Sequence, residues 1–257
     1  MKIFNLENKI ILITGALGGI GTAIVELFLS QNAQVIMTDI NQKLLENRQH
    51  EYLSQGYSVD IFCADLSQDQ NIENLSQFIN EKYSKIDSVI FCNGIEGNTP
   101  SLINLNYFDV QKILDVNLLS ALKISDLAIQ IMKKNGSGGS LIYISSIASI
   151  RGNKSLGLYG ISKSALNQLA RNIAVEFGPI NIRANSISPG LIETPLAKKL
   201  MENKAFMEKR LLATPLRRVG QPHEISSIAL LLASEAGSFI TGQNIVVDGG
   251  TTISDGN

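Results

Sequence analysis

Short apolar segments alternate with longer segments of helical periodicity along most of the chain, and this alternation restricts the folds open to it. The early apolar segments are near-continuous runs of Val and Ile, typical of strands buried on both faces of a parallel sheet. Helical crossovers between such strands are right-handed. The sequence therefore predicts an α/β fold in three layers, a doubly wound parallel sheet with helices on both faces. The predicted strands cover 9–14, 33–39, 57–65, 85–94, 139–146, 180–188 and 243–248.

The segments between these strands carry helix signals. Ser67 and Gln70 have the spacing of a capping box, which predicts that a helix begins there. Gly136 follows two lysines and predicts the end of another helix. No internal repeat or linker interrupts the chain, so a single domain over 1–257 is the simplest interpretation. The predicted helices include 41–55, two stretches within 104–134, 159–177 and 223–233.

The composition argues against several classes of partner. The net charge is −1 and there is no basic run, so neither nucleic acid nor an anionic membrane is an expected partner. No apolar run approaches the ~18–20 residues of a membrane span. The first ten residues are interrupted by Glu7 and Lys9 and lack a signal-peptide pattern. We therefore expect a soluble, cytoplasmic protein.

A metal site is not expected. The chain has two cysteines, Cys63 and Cys92, and two histidines, His50 and His223, and none has the spacing of zinc ligands. Two cysteines in a chain of this size also do not make a disulfide framework.

A glycine cluster, TGALGGIG at 14–21, follows the first predicted strand and precedes a helix. Gly15 can adopt backbone conformations that other residues resist. Gly19 and Gly21 leave room for a pyrophosphate at the helix N-terminus, where free N–H groups and the helix dipole favour an anion. The spacing matches neither GxGxxG nor a P-loop. The cluster predicts a dinucleotide site, with a plain tight turn as the alternative.

An acidic residue, Asp39, ends the second predicted strand 24 positions after Gly15. Such an acid binds the adenosine ribose hydroxyls in dinucleotide-binding folds. It also repels a 2′-phosphate, since two charges ~4 Å apart interact by up to ~4 kcal/mol at an effective dielectric near 20. Gly18 and Ile40, where a phosphate-binding cation is expected, are uncharged. The sequence predicts NAD over NADP; the alternative is that Asp39 only caps the next helix.

Tyr159 and Lys163 are four residues apart on a predicted helix and therefore share a face. A nearby cation lowers the pKa of a phenol by stabilising the phenolate, so we expect Lys163 to make Tyr159 a general acid and base. Ser146, 13 positions before Tyr159, is expected to donate to a substrate oxygen, with Ser145 as the rival candidate. The alternative is a helix that merely carries a phenol and an ammonium on one face.

Together these motifs resemble the short-chain dehydrogenase/reductase family in its compact single-domain branch, and the match runs over about 9–250. The motifs that carry the resemblance are TGxxxGxG, Asp-Leu at 65–66, Ser146, Tyr159-x-x-x-Lys163 and SPGLIET at 188–194. The resemblance implies a Rossmann-type sheet of seven strands in the order 3-2-1-4-5-6-7. The implied catalytic residues are Asn117, Ser146, Tyr159 and Lys163. The implied cofactor-binding residues are Gly15, Gly18, Gly19, Ile20, Gly21, Asp39, Asp65, Leu66, Asn93, Gly94, Tyr159, Lys163, Pro189, Gly190, Ile192 and Thr194.

The resemblance also implies more specific roles. Asp65 contacts the adenine edge, and Thr194, with the backbone of Ile192, holds the nicotinamide carboxamide. Asn117 supports a water that links the lysine to bulk solvent. The segment 191–215 is a mobile lid over the substrate. Family members are usually oligomeric, which predicts a homodimer or homotetramer.

One stretch departs from the family pattern. The family usually carries Asn-Asn-Ala-Gly after strand four, and here the residues are Phe91, Cys92, Asn93 and Gly94. Because Gly94 is retained, we expect altered local packing with cofactor binding kept. The implied strand order places Cys63 and Cys92 about 14 Å apart, beyond the ~7 Å between Cα atoms that a disulfide allows, so both are expected to be free thiols.

The sequence thus predicts an NAD-dependent oxidoreductase that interconverts a small secondary alcohol and a ketone. Glu96, Arg151 and Asn153 lie near the expected mouth of the site and are candidates for binding a polar substrate group, or are solvated loop residues. Three alternative functions are an NADPH-dependent 3-oxoacyl carrier-protein reductase, a non-catalytic dinucleotide sensor, and a sugar-nucleotide epimerase or dehydratase.

Overall fold

A computed structural model describes residues 3–99, 101–154 and 156–254, and a parallel β-sheet forms their centre. The sheet has seven strands in the order 3-2-1-4-5-6-7, which confirms the predicted fold class and topology. The single domain predicted over 1–257 extends at both ends beyond the described residues and stays a prediction. The strands are β1 (Ile10–Thr14), β2 (Gln34–Asp39), β3 (Val59–Cys63), β4 (Ser88–Phe91), β5 (Gly139–Ile144), β6 (Ile182–Pro189) and β7 (Asn244–Val247).

Helices connect the strands and cover both faces of the sheet. The helix predicted from Tyr159 begins two residues earlier, at Gly157. Gly136 has a left-handed φ of 60° at the end of α5, as its position after two lysines predicts. A π-helical turn, Asp115–Leu119, joins α4 to α5. The helices are α1 (Gly19–Ser30), α2 (Gln42–Ser54), α3 (Asp69–Lys82), α4 (Tyr107–Leu114), α5 (Ser120–Asn135), α6 (Gly157–Phe177), α7 (Lys198–Met201), α8 (Lys204–Leu212) and α9 (Pro222–Ala233).

The capping box predicted for Ser67 and Gln70 is wrong. The N-cap of α3 is Gln68, which makes no side-chain capping bond. Ser67 instead donates through its hydroxyl and its backbone N–H to Asp65 Oδ1, at 2.7 and 3.0 Å. A local bond two residues back therefore competes with the capping role, as is common for serine.

Side chains along the early strands alternate between two hydrophobic clusters, one on each face of the sheet. In β1, Ile11 and Ile13 belong to the cluster that includes residues of α1, α2 and α9. Leu12 belongs to the cluster that includes residues of α3, α5 and α6. All three are fully buried, and burial of such a side chain stabilises the fold by about 1.5–3 kcal/mol. Burial on both faces is the reason that the strands are continuously apolar.

The two cysteines lie where the strand order predicts. Cys63 ends β3, Cys92 follows β4, and both are free thiols. Across the described ranges, no cluster of three or more His, Cys, Asp or Glu side chains is placed to hold a metal ion. None of the helices in the same ranges combines the length and apolar character that a bilayer crossing demands. The cytoplasmic location stays a prediction.

Candidate active site

The candidate site is a cleft at the carboxyl edge of the sheet, with a volume of about 410 Å³. Because all strands are parallel, the residues that follow β1, β4, β5 and β6 meet at this edge. The cleft brings together most of the residues predicted for cofactor binding and catalysis. Those that line it are Gly15, Gly18, Gly19, Ile20, Gly21, Gly94, Ser146, Tyr159, Lys163, Pro189, Gly190, Ile192 and Thr194.

The turn after β1 is shaped for close approach of a ligand. Gly15 has a φ of +61°, which favours glycine. A Cβ on Gly21 would lie 2.1 Å from the Gly15 carbonyl oxygen, and a Cβ on Gly19 would lie 2.7 Å from Thr194 Cγ2. The N-cap of α1, Gly18, makes no side-chain capping bond, so no side chain of that residue covers the N–H groups of the first turn. This bare helix N-terminus fits the pyrophosphate of a dinucleotide.

Asp39 lies beside this turn and does not cap α2. Its Oδ2 accepts from the Leu17 N–H at 3.1 Å, and its Oδ1 accepts from the Ile40 N–H at 2.8 Å. The N-cap of α2 is Asn41, whose Oδ1 accepts from the Leu44 N–H at 3.1 Å, so the capping interpretation of Asp39 is wrong. A carboxylate has about four acceptor positions, and two backbone bonds leave capacity for ribose hydroxyls.

Besides Asp39, four predicted residues do not line the cleft. Asp65 follows β3 and is exposed, whereas the next residue, Leu66, is buried in the core. Asn93 contributes its backbone oxygen, which accepts from Lys163 Nζ at 3.0 Å. The side-chain Oδ1 of Asn93 is buried, with no hydrogen-bond partner among the residues that the structure describes. The fourth residue, Asn117, lies behind the cleft and is fully buried.

The helix α6 places Tyr159 and Lys163 one turn apart, as predicted. Lys163 Nζ lies 5.8 Å from the centroid of the Tyr159 ring. The ammonium donates to the backbone oxygens of Asn93 and Ile144, both at 3.0 Å. It therefore joins α6 to the ends of β4 and β5.

Ser146 is the serine that faces Tyr159. The Ser146 side chain lies near enough to the Tyr159 phenol to lower its pKa, and its Oγ accepts from the Ala148 N–H at 3.1 Å. The rival candidate, Ser145, is buried and donates to the Lys163 backbone oxygen at 2.9 Å. Because the Ser146 side chain acts on the phenol while the Ser145 hydroxyl donates to the helix backbone, the geometry favours Ser146 for contact with a substrate oxygen.

Burial shifts the pKa values of Tyr159 and Lys163. It raises the pKa of Tyr159 to about 12; the Ser146 side chain lowers that pKa by less, and the nearby Glu96 carboxylate raises it. Burial also lowers the pKa of Lys163 to about 8. The expectation that Lys163 lowers the pKa of Tyr159 is therefore not met by the protein's own groups, because burial raises that pKa and Lys163 is not among the groups that shift it.

Asn117 connects the loop after β4 to α6. In the π-helical turn, its Oδ1 accepts from the Ile95 N–H at 2.9 Å, and its Nδ2 donates to the Ile95 oxygen and to Ser162 Oγ, both at 3.0 Å. Ser162 immediately precedes Lys163. Asn117 therefore positions the lysine through its neighbours, and the water implied by the family resemblance stays a prediction.

In the stretch that departs from the family pattern, 91–94, the backbone at Gly94 lies directly against Lys163. A Cβ on Gly94 would lie 2.7 Å from Lys163 Nζ, so a larger residue there would displace the ammonium. Cys92 packs against the hydrophobic cluster that includes α1, and burial raises the pKa of its thiol to about 12. The thiol is therefore protonated at neutral pH.

The cleft is also lined by residues that the sequence predicts near its mouth, Glu96, Arg151 and Asn153. Arg210 of α8 also lines it, and the sequence analysis missed this residue. Its guanidinium carbon lies 5.6 Å from the centroid of the Phe206 ring. The four-residue spacing from Phe206 places both on one helix face, but nothing in the sequence shows that this face meets the cleft.

A family model described as enoyl-(acyl carrier protein) reductase matches residues 15–252. A tropinone reductase homolog of Arabidopsis thaliana is 37% identical over 253 residues, which cover 98% of this chain and 95% of the relative. A second tropinone reductase homolog of that plant is 36% identical, with 98% and 96% covered. The similarity thus extends over nearly the whole of each chain.

Solved structures share the fold. A gluconate 5-dehydrogenase from Burkholderia cenocepacia in complex with NADP and tartrate has a TM-score of 0.93 and 26% identity, with 98% of each chain covered. A 7α-hydroxysteroid dehydrogenase complexed with NADH and 7-oxo glycochenodeoxycholic acid has a TM-score of 0.91 and 33% identity, with 96% of each chain covered. A short-chain type dehydrogenase/reductase from Mycobacterium ulcerans has a TM-score of 0.93 and 28% identity, with 97% and 92% covered. These structural neighbours include NADP-bound and NADH-bound enzymes.

Replacing Asn117 with Ala removes three hydrogen bonds and leaves both backbone groups of Ile95 without this partner. An unsatisfied buried group costs about 1–3 kcal/mol, so we expect the free energy of unfolding to fall by about 2–4 kcal/mol in urea denaturation. The control is Asn80→Ala, an exposed residue whose amide bonds only within α3, for which the change should stay within about 0.5 kcal/mol. Equal effects of the two substitutions would contradict the positioning role of Asn117.

Proposed function

The chain belongs to the short-chain dehydrogenase/reductase family, and we propose that it is an NAD-dependent enzyme that interconverts a secondary alcohol and a ketone. The observation that carries the proposal is the convergence of Ser146, Tyr159 and Lys163 on the cleft that also contains the glycine turn of 15–21. In this proposal, the phenol that transfers the proton and the turn that binds the dinucleotide line the same cleft.

In this proposal the substrate oxygen lies between Ser146 and Tyr159. Ser146 donates a hydrogen bond to that oxygen, and Tyr159 takes its proton during oxidation or returns it during reduction. The bound nicotinamide cofactor accepts or supplies the hydride. The protein thus contributes orientation of the reacting groups and transfer of the proton.

Lys163 has a second part in the proposal. An ammonium has three donors, and two of them bind the backbone oxygens of Asn93 and Ile144. The third is left for a ribose hydroxyl of the cofactor. The glycine turn of 15–21 and Gly94 line the same cleft as this ammonium, which supports contact between the ammonium and a cofactor bound at the turn.

The preference for NAD rests on Asp39. Its carboxylate is held beside the glycine turn by the N–H groups of Leu17 and Ile40, so it would stand close to a 2′-phosphate and repel it. Ile40 is 73% exposed and provides no cation in compensation.

The alternatives have less support. An NADPH-dependent carrier-protein reductase would need a cation at the positions of Asp39 and Ile40 to bind the 2′-phosphate. It would also need a basic surface for its acidic partner, which a net charge of −1 does not favour. A non-catalytic sensor would have no use for the convergence of Ser146, Tyr159 and Lys163. An epimerase or dehydratase of the longer branch needs an additional substrate domain, and the described residues form a single seven-stranded sheet with its helices.

The proposal includes a substrate lid and an oligomer. The segment 191–215 contains α7 and α8 and contributes Leu200 and Arg210 to the cleft, which supports its role as a lid. On α6, Ile161 is 51% exposed and Val175 is 82% exposed, which supports burial of this helix against another copy in a homodimer or homotetramer.

Tyr159→Phe should lower kcat at least about 100-fold, because a general acid and base contributes about 10²–10⁴-fold to a rate. The Kd of NADH, measured by its fluorescence, should change by no more than about twofold. Tyr107→Phe is the matched control, since Tyr107 is 83% exposed on α4, and it should keep full activity. Substantial turnover by the Tyr159 variant would remove this residue from the proton transfer.

Alcohol oxidation should accelerate with rising pH between about 6 and 9, because it requires ionised Tyr159, whose pKa burial raises to about 12. Ketone reduction uses the protonated phenol and should not accelerate. Since the Glu96 carboxylate raises that pKa, Glu96→Gln should move the rise in kcat to lower pH. An oxidation rate independent of pH over this range, or an unmoved profile in the Glu96 variant, would count against the assignment.

The ratio of kcat/KM for NAD⁺ to kcat/KM for NADP⁺ should exceed about ten, because each tenfold step requires only about 1.4 kcal/mol of charge repulsion. Ile40→Arg should raise the NADP⁺ value at least about tenfold. Leu53→Arg, at the far end of α2 and 51% exposed, adds the same charge as a control and should leave the ratio unchanged. A wild-type preference for NADP⁺ would refute the NAD assignment.

A further inference from the structure

Two arginines line the cleft and come from different segments of the chain. Arg151 follows the short helical turn after β5, and Arg210 lies on α8. Both are partly buried. Within the described ranges, neither forms a salt bridge with an Asp or Glu side chain. We propose that Arg151 and Arg210 together bind a carboxylate of the substrate, so that the substrates are hydroxy acids and their keto acids.

The inference rests on the proposed function, because it assigns the substrate class of the same cleft. In that arrangement the reacting oxygen contacts Ser146 and Tyr159, and the carboxylate lies toward the mouth of the cleft. Guanidinium groups match carboxylates in shape and bind them through paired N–H donors, which a lysine does not do.

The two guanidinium groups are close enough to affect one another. Burial lowers the pKa of Arg210, and the positive charge of Arg151 lowers it further. Asp248 opposes these effects, but its Oδ1 and Oδ2 already accept from the N–H groups of Gly250 and Thr252, at 2.8 and 2.7 Å. An anion bound between the arginines would relieve their repulsion.

The other charged groups of the cleft do not neutralise this pair. Glu96 comes from the segment after β4, forms no salt bridge with either arginine, and has its pKa raised by burial. Lys163 donates to two backbone oxygens, those of Asn93 and Ile144. Apart from the influence of Asp248 on Arg210, the two arginines therefore have no salt-bridge partner among the described residues, and an acidic substrate would supply one.

Because Arg210 belongs to the proposed lid and Arg151 does not, a bound carboxylate would also connect the lid to the body of the protein. A neutral alcohol would not provide this connection. The arginines thus couple selection of an acidic substrate to closure of the cleft.

The test compares acids with their neutral amides on the full-length protein. The probes are 3-hydroxybutyrate, tartrate and gluconate, each beside its amide, and glycerol 3-phosphate as a phosphate-bearing alcohol. Turnover with NAD⁺ is followed as NADH absorbance, and binding to the complex with NADH is followed by calorimetry. We expect acids to exceed their amides at least tenfold in kcat/KM or in affinity.

Arg151→Gln and Arg210→Gln should each raise KM or Kd for the preferred acid at least tenfold. The same variants should change the KM or Kd of the amide, and the KM of NAD⁺, by no more than about twofold. Arg48→Gln removes an exposed guanidinium on α2 and is the matched control, with no expected change. An unchanged melting temperature in each variant would show that it is folded.

The outcomes separate this inference from the proposed function. Three results would overturn the carboxylate assignment: equal turnover or binding of acids and amides, equal losses for both in the arginine variants, or binding of glycerol 3-phosphate alone. Turnover of neutral alcohols in the same assays would show that the proposed function still stands. Failure of the protein to bind NADH or NAD⁺ would overturn the proposed function, and this inference with it.

Discussion

A single buried ammonium holds the parts of the candidate site together. Lys163 Nζ donates to backbone oxygens at the ends of two adjacent strands, Asn93 after β4 and Ile144 of β5. A charge in the interior is tolerated only where hydrogen bonds replace its hydration, and these carbonyl groups provide that replacement. The bonds fix the first turns of α6 against the sheet, and so they also determine where the Tyr159 phenol lies.

The surroundings of this ammonium are arranged to accommodate it. Gly94 has no side chain, and any Cβ there would collide with the Lys163 amine. Asn117 binds both backbone groups of Ile95 and the hydroxyl of Ser162, which braces the loop on one side of the lysine and the helix on the other. The π-helical turn that carries Asn117 interrupts the regular helix where this amide is needed, as such turns often do at functional sites.

The sequence was sufficient to predict the sheet and most of the cleft lining, for identifiable reasons. Buried parallel strands require continuous apolar runs, and Gly15 and Gly21 permit a backbone approach that any Cβ would prevent. The four-residue spacing of Tyr159 and Lys163 already places both on one helix face.

What the sequence could not show depends on tertiary packing. The direction of the Tyr159 pKa is set by burial, and burial follows from the whole fold. Arg210 lies in the cleft because of where the fold places α8, which no local pattern encodes. Ser67 bonds to Asp65 and not to the next helix, a choice between two local partners that spacing alone does not decide.

Ile40 is an apolar side chain with 73% of its surface in solvent, directly after the carboxylate that adjoins the glycine turn. It contributes little to the packing of the interior, so it is free to vary without a penalty in folding. Under the proposed function, an evolving lineage could weaken the preference between the cell's catabolic and biosynthetic pools of reducing equivalents by altering this exterior residue, while Asp39 and the reactive machinery stay untouched.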